Sequence, residues 1–271
     1  LFRSCDIGRK NVLCDECVSR VRIGSDMMLA KLQLVLDTKS LDFRKASSLQ
    51  GFLMERIDTG YVELLHRQQM HPYSQAVLAE KGQVIWQISA LNQTALEQIV
   101  RPMMSVDLIR LHREKHPICI LEKHLTTLED GELLQEFYGK TAEMNLTVEF
   151  LAPTAFRQHG RYVILPDVRL ICQNLMMRQS VLMERIDMMD EETMEQLVSE
   201  CMIVRHRIRS MIFPAERTTI PGFVGMVTFR CFGTKTMARY LRLLLRFGEF
   251  SGVGIKTGMG MGAIRIRRDE G

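Results

Sequence analysis

Two stretches of this chain change hydrophobic period in the same order, and that repetition limits the fold more than any single motif does. In the first, "MMLAKLQLVLDT" alternates through Leu32, Leu34 and Leu36 as a half-buried strand. "ASSLQGFLMERIDTGYVELLHRQ" then shifts to helical spacing at Leu49, Phe52, Leu53 and Ile57, with a start signal at Ser47 or Ser48 and an end near His66. "QVIWQISAL" is a strand, "QTALEQIVRPM" a short helix stopped by Pro102, and "VDLIRLH" and "PICILEKHLT" two further strands. The second stretch runs from the strand "NLTVEFLAP" through a helix in "PDVRLICQNLMMRQSVLMERI" to strands in "CMIVRHRIRSMIF" and "GFVGMVTFRCFG". A basic helix, "TKTMARYLRLLLRFGEF", and the short strand "AIRIR" complete it. The second stretch has the order of a βαββαβ unit and the first comes close to it, with strand order left open. The expected fold is therefore α+β, with two ferredoxin-like units in tandem: residues 27–142 and residues 143–271.

Residues 1–26 show neither period and are expected to lie outside the fold, as a tail or as translated sequence ahead of the natural start. Cys5, Cys14 and Cys17 there form three-quarters of a zinc pattern without a fourth ligand nearby. The other four cysteines, Cys119, Cys172, Cys201 and Cys231, sit singly in apolar segments and read as reduced core residues. The 46% hydrophobic content is enough for a real core, while no run of eighteen apolar residues and no leader pattern occurs. These features predict a cytoplasmic protein without a membrane partner.

Charge is unevenly spread. From Cys201 to Gly271 there are 13 Lys and Arg against 4 Asp and Glu, a balance of +9 against −5 for the rest. That basic stretch, suited to a nucleic-acid partner, contains "SGVGIKTGMGMG" at residues 251–262. Its glycines allow backbone turns at positive φ and close approach to a phosphate, and Lys256 is the cation expected beside them, flanked by Arg246, Arg265 and Arg267. The loop is preceded by a helix and followed by a strand, so it is neither a Walker loop nor a dinucleotide loop. His112, His116 and His124 lack tight ligand spacing. Arg157, His159 and Arg161 share one loop where phosphate contacts or an exposed turn are the two readings.

With these motifs in order, the chain resembles the CRISPR repeat-processing endoribonucleases of the RAMP superfamily. The resemblance is carried by the GhGx5GhG loop in "FSGVGIKTGMGMGAIRI", by "FLAPTAFRQHGRYVILPD" and by "PGFVGMVTFR", and it covers about residues 27–268. It implies cleavage of precursor CRISPR RNA within its repeats by attack of a ribose 2'-OH on the adjacent phosphate, without metal or cofactor. It also implies RNA contacts from Arg157, Arg161, Gly252, Gly254, Lys256, Gly260 and Gly262. The family's histidine falls in "ELLHRQQMHPYS" at His66, whose imidazole can give or take a proton near neutral pH.

Some members carry a Tyr on the first helix where this chain has Met54, and a Lys shortly after the His where it has His71. His71 is thus the candidate second group, with Tyr73 or Tyr61 in place of the missing Tyr. Repeat RNA is the implied partner; subunits of a CRISPR effector complex and a second copy of the chain are further ones. A non-catalytic RNA-binding subunit of the same superfamily, or the processing module of a larger fusion, is the alternative.

Overall fold

The computed structural model describes residues 28–112, 114, 116–139, 142–183, 190–215 and 218–267. The expectations for the N-terminal extension and its three cysteines lie outside the described residues.

The first sheet is built from β1 (Met28–Leu36), β2 (Tyr73–Glu80), β3 (Gln83–Ala90), β4 (Leu108–Ile109) and β5 (Ile118–Glu129), in the order β2-β3-β1-β5-β4. The second holds β6 (Asn145–Thr154), β9 (Cys201–Ala215), β10 (Thr218–Cys231) and β11 (Ile264–Arg267), in the order β11-β6-β10-β9. Apart from the short edge strand β4, both sheets place their strands fourth, first, third, second, with every described pairing antiparallel. This is the ferredoxin-like order, used twice.

The end of the last helix packs on the first sheet, where Phe250 lies under Lys31, and each sheet also has its own helices. In the first unit these are α1 (Ala46–Met54), α2 (Thr59–Arg67) and α3, which starts at Gln93–Ala95, passes through a π turn at Leu96–Val100 and ends in Arg101–Met104. α4 (Asp130–Gly139) links the sheets, and α5 (Val168–Met183), α6 (Glu191–Glu200) and α7 (Lys235–Ser251) serve the second. In β1 the alternation has its expected result: Leu32, Leu34 and Leu36 enter the core while Lys31 and Gln33 are only partly covered.

Several expected boundaries moved for local reasons. The long helix expected over 46–68 is two helices, because Asp58 accepts a hydrogen bond from Tyr61 N at 3.0 Å and so caps a new start. The first start signal is Asp42, which caps a 3-10 turn at Phe43–Lys45 leading directly into α1. Pro102 does not stop α3; it falls at the beginning of the segment after the π turn, where a missing N–H is tolerated. Cys119 is exposed, whereas Cys172, Cys201 and Cys231 are buried.

The two cores interlock. Phe213 and Ile220, near the end of the β9–β10 hairpin, are buried in the first unit's core with Leu49, Phe52 and Trp86. In return, Leu29, Leu91 and Leu128 pack with the second core, as does Leu133 of α4, which lies within the expected first unit.

Candidate active site

The last turn of α2 carries His66, which is exposed, while Leu65 beside it is buried and fixes the helix face. Five residues on, His71 is half-buried and its ring stacks on Tyr73, with centroids 5.5 Å apart and planes 10° from parallel. Tyr73 opens β2, has no exposed surface, and its hydroxyl accepts a hydrogen bond from Gln50 Nε2 of α1 at 2.9 Å. Burial pushes the phenol up to about 12, against a smaller opposing effect of the Gln50 bond. Tyr61 is likewise buried and pushed up to about 12, chiefly by desolvation. Neither expected phenol reaches solvent as an open proton donor.

The glycine loop closes over this corner. An added Cβ at Gly258 would lie 3.1 Å from His71 Nδ1 and 3.2 Å from the Tyr73 hydroxyl. Sequence reasoning singled out the four outer glycines and passed over this one, although it occurs in the same quoted stretch. The outer four are buried and face protein. A Cβ at Gly254 would meet Ala155 O at 2.3 Å, one at Gly260 the Ala46 Cβ at 2.2 Å, and one at Gly262 the Val253 O at 2.1 Å. Gly252 faces Thr257 at 2.9 Å. Two of their N–H groups are engaged in the same closure: Gly254 N donates to Asn174 Oδ1 at 2.8 Å and Gly262 N to Pro153 O at 3.0 Å.

What the loop presents outward is Lys256, exposed and held at φ 57° in the left-handed region, a conformation that costs a non-glycine residue on the order of 1 kcal/mol. Among the described residues it has no carboxylate within ion-pair reach. The expected flanking arginines differ. Arg246 pairs with Glu249 at 2.5 Å, Arg265 with Glu80, and Arg267 with Glu149 at 3.4 Å, so their charges are compensated by protein.

His71 reports how close these groups are. Burial lowers its proton affinity most, the positive charges of Arg178, Lys256 and His66 act in the same direction, and a hydrogen bond with the Leu65 backbone opposes them. His66, His71, Tyr73 and Lys256 are therefore brought to one corner. Arg157 and Arg161 stand apart on a small hairpin, β7 (Phe156–Gln158) and β8 (Arg161–Val163), turned by His159 and Gly160 at positive φ. Arg157 is opposite Tyr162 and Arg161 opposite Gln158, so the two guanidinium side chains leave opposite faces. His112 and His124 lie against Glu55 and Glu122 at 3.4 Å and 2.9 Å, and no cluster of three or more His, Cys, Asp or Glu occurs among the described residues.

The chain thus has a tandem ferredoxin-like fold with a glycine loop ahead of its last strand, and known proteins share that fold. A solved Cas6 product complex superposes with a TM-score of 0.74 at 23% identity, covering 89% of this chain and all of the other. The Thermus thermophilus Cas6 TTHB231 gives 0.65 at 23%, covering 90% and 100%. The family model of the CRISPR-associated endoribonuclease Cas6 matches residues 148–264. The Cas6 endoribonuclease of Streptococcus thermophilus is 33% identical over 221 residues, 82% of this chain and 90% of its own length. That of Mycobacterium tuberculosis H37Rv is 37% identical over 226 residues, 81% and 70% of the two chains. The chain belongs to the Cas6 family of CRISPR-associated endoribonucleases. No helix among the described residues is long and apolar enough to cross a membrane.

Proposed function

We propose that the protein cleaves precursor CRISPR RNA within each repeat by attack of the ribose 2'-oxygen on the adjacent phosphorus, with His66 as the proton-transfer group. The supporting observation is the corner itself: an exposed imidazole on the last turn of α2, a second imidazole five residues on, and an exposed lysine of the glycine loop whose charge, like that of His66, acts on His71. In the reaction the 2'-O–P bond forms as the P–O5' bond breaks. The 2'-OH loses its proton to a base and the departing 5'-oxygen gains one, leaving a 2',3'-cyclic phosphate and a 5'-OH. Lys256 faces the charge that grows on the phosphorane oxygens. Tyr73 acts as a platform that orients His71, and the outer glycines act by shaping the loop.

The chemistry uses protein groups alone, so repeat cleavage is expected to proceed at an unchanged rate in EDTA. A substrate with one 2'-deoxyribose immediately upstream of the scissile phosphate should bind and remain intact, because its nucleophile is missing. Loss of cleavage on chelation, restored by a divalent ion, sinks the metal-free mechanism; cutting of the deoxy substrate at the same bond sinks the 2'-OH attack.

Lys256→Ala is expected to weaken repeat binding and to flatten the slope of log affinity against log salt by about 0.7, the contribution of one phosphate contact to a single strand. Fluorescence anisotropy at four or five salt concentrations measures it. An unaltered slope places Lys256 away from the RNA backbone.

A further inference from the structure

Tyr73, on which the His71 ring stacks, is anchored from α1. Its hydroxyl is buried and takes a hydrogen bond from Gln50 Nε2 at 2.9 Å. Two residues along β2, Gln75 makes the matching contact: its Nε2 donates to Ala46 O at 2.9 Å, while its Oε1 accepts Trp86 Nε1 at 2.7 Å. Ala46 and Gln50 share one face of α1, about 6 Å apart along the axis, and Tyr73 and Gln75 leave the same face of β2 about 6.6 Å apart. The helix is therefore clipped to the strand by two bonds at nearly equal spacing.

The two clips differ. That of Gln75 is buried and reaches the helix backbone, so it fixes α1 whatever side chains the helix carries. That of Gln50 joins two side chains, at the end where His71 lies on Tyr73. The glycine loop seats on both ends: Gly260 is against Ala46, and Gly258 is against His71 Nδ1 and the Tyr73 hydroxyl. The Gln50 bond is thus the point where α1, β2, the His71 ring and the loop bearing Lys256 meet.

We propose that Gln50 is a positioning residue: by holding the Tyr73 hydroxyl, it fixes the ring on which His71 stacks and against which Gly258 closes. Its effect reaches the reaction through Tyr73. A misplacement of about 1 Å can cost on the order of 10²-fold in rate, so a bond that sets such an alignment matters beyond its own strength. This rests on the proposed cleavage, but the stacking of His71 can be followed without any reaction.

The test breaks the bond from each side and from both. Gln50→Met keeps the length and loses the donor; Tyr73→Phe keeps the ring and loses the acceptor. Melting temperature, single-turnover rate, repeat affinity and the NMR shifts of the His71 ring protons are measured for the two single variants and the double, in the full chain. Gln50→Met leaves a buried phenol without its partner and should lower the melting temperature more than Tyr73→Phe, which leaves a half-buried amide within reach of water. The double variant should regain stability, because both partners are then apolar. Its rate should not return: all three variants should cut about tenfold more slowly than wild type, with the His71 shifts displaced alike. Repeat affinity should stay within about threefold, since the bond acts on alignment and not on the RNA. A rate that recovers together with stability in the double variant makes the bond merely structural and overturns the proposal. Losses that multiply in the double variant overturn it as well, because the two side chains then act separately, as does a Gln50→Met protein with the wild-type rate or with unmoved His71 signals. Should Gln50→Met fail to fold, Tyr73→Phe and the double variant carry the same comparison. If the His71 signals move as expected but the wild type cuts no repeat, the cleavage reading falls and the hold of Gln50 on the stack stands.

Discussion

His66→Ala is expected to lower the single-turnover rate of repeat cleavage by about 10² to 10⁴-fold, the usual contribution of a positioned acid or base. The side chain is exposed at the end of α2 and supports no core packing, so the fold should be unaffected. Repeat affinity should change by less than about 1 kcal/mol, because a proton-transfer group acts mainly in the transition state. Rapid-quench kinetics with enzyme in excess, beside equilibrium binding on the same RNA, separates the two quantities. A variant that binds poorly and cuts at the wild-type rate when saturated would make His66 a recognition residue. Wild-type protein that binds the repeat tightly and never cuts it returns the chain to the non-catalytic RNA-binding reading.

Gly254→Val is expected to be nearly as damaging through a different route. The residue has φ 86°, a region strained for any β-branched side chain, and its missing Cβ would sit 2.3 Å from the Ala155 carbonyl oxygen. That oxygen belongs to backbone and also accepts Ile255 N at 3.0 Å, so it has little room to retreat. Strain at such a φ costs about 1–3 kcal/mol, and overpacking against rigid neighbours a further 1–3 kcal/mol. The loop should lift from β6, carrying Gly258 away from His71 and Lys256 from its place. Urea denaturation should show a lower midpoint, and cleavage should be lost together with stability. Gly254→Ala already carries the offending atom; if it keeps wild-type stability and rate, the close approach is not required.

How much of this was visible in the sequence depended on whether a signal was local. β1 alternates and was readable because one face meets a core and the other is only partly covered. β2 was missed because it does not alternate: every residue from Tyr73 to Leu78 is buried. Its second face, with Ala76 and Leu78, packs with Ala152 and Ala263 of the second unit, a partner no local period can announce. The break at Asp58 was written in the capping residue but was masked by continuing helical spacing on both sides. Strand order was left open by the sequence, since element order alone does not say which strands pair.

The candidate site divides in the same way. His66, His71 and Lys256 were singled out from residue type and motif, and the fold brings them to one corner. Tyr73 was singled out too, and it is buried with a bond from Gln50, while Arg246, Arg265 and Arg267, read as flanking cations, pair with carboxylates that no local pattern shows. Asn174, Arg178 and Gly258 were not singled out. Asn174 reaches Gly254 across 80 residues of chain, a contact that no local pattern announces. Gly258 looked like one more flexible position until its contact with His71 gave it a particular one.

The exchange of side chains between the two cores bears on how such a protein can be taken apart. Expressed alone, residues 28–139 would face water where Phe213 and Ile220 now fill the core, and residues 142–267 would carry those two side chains on a bare hairpin tip. Each fragment should therefore be poorly soluble by itself and should recover repeat cleavage when the two are refolded together. The glycine loop completes a site whose imidazoles lie on the other fragment, so regained activity would report reassembly directly. On the proposed reaction, a chain divided in the segment after α4 should behave as a split reporter.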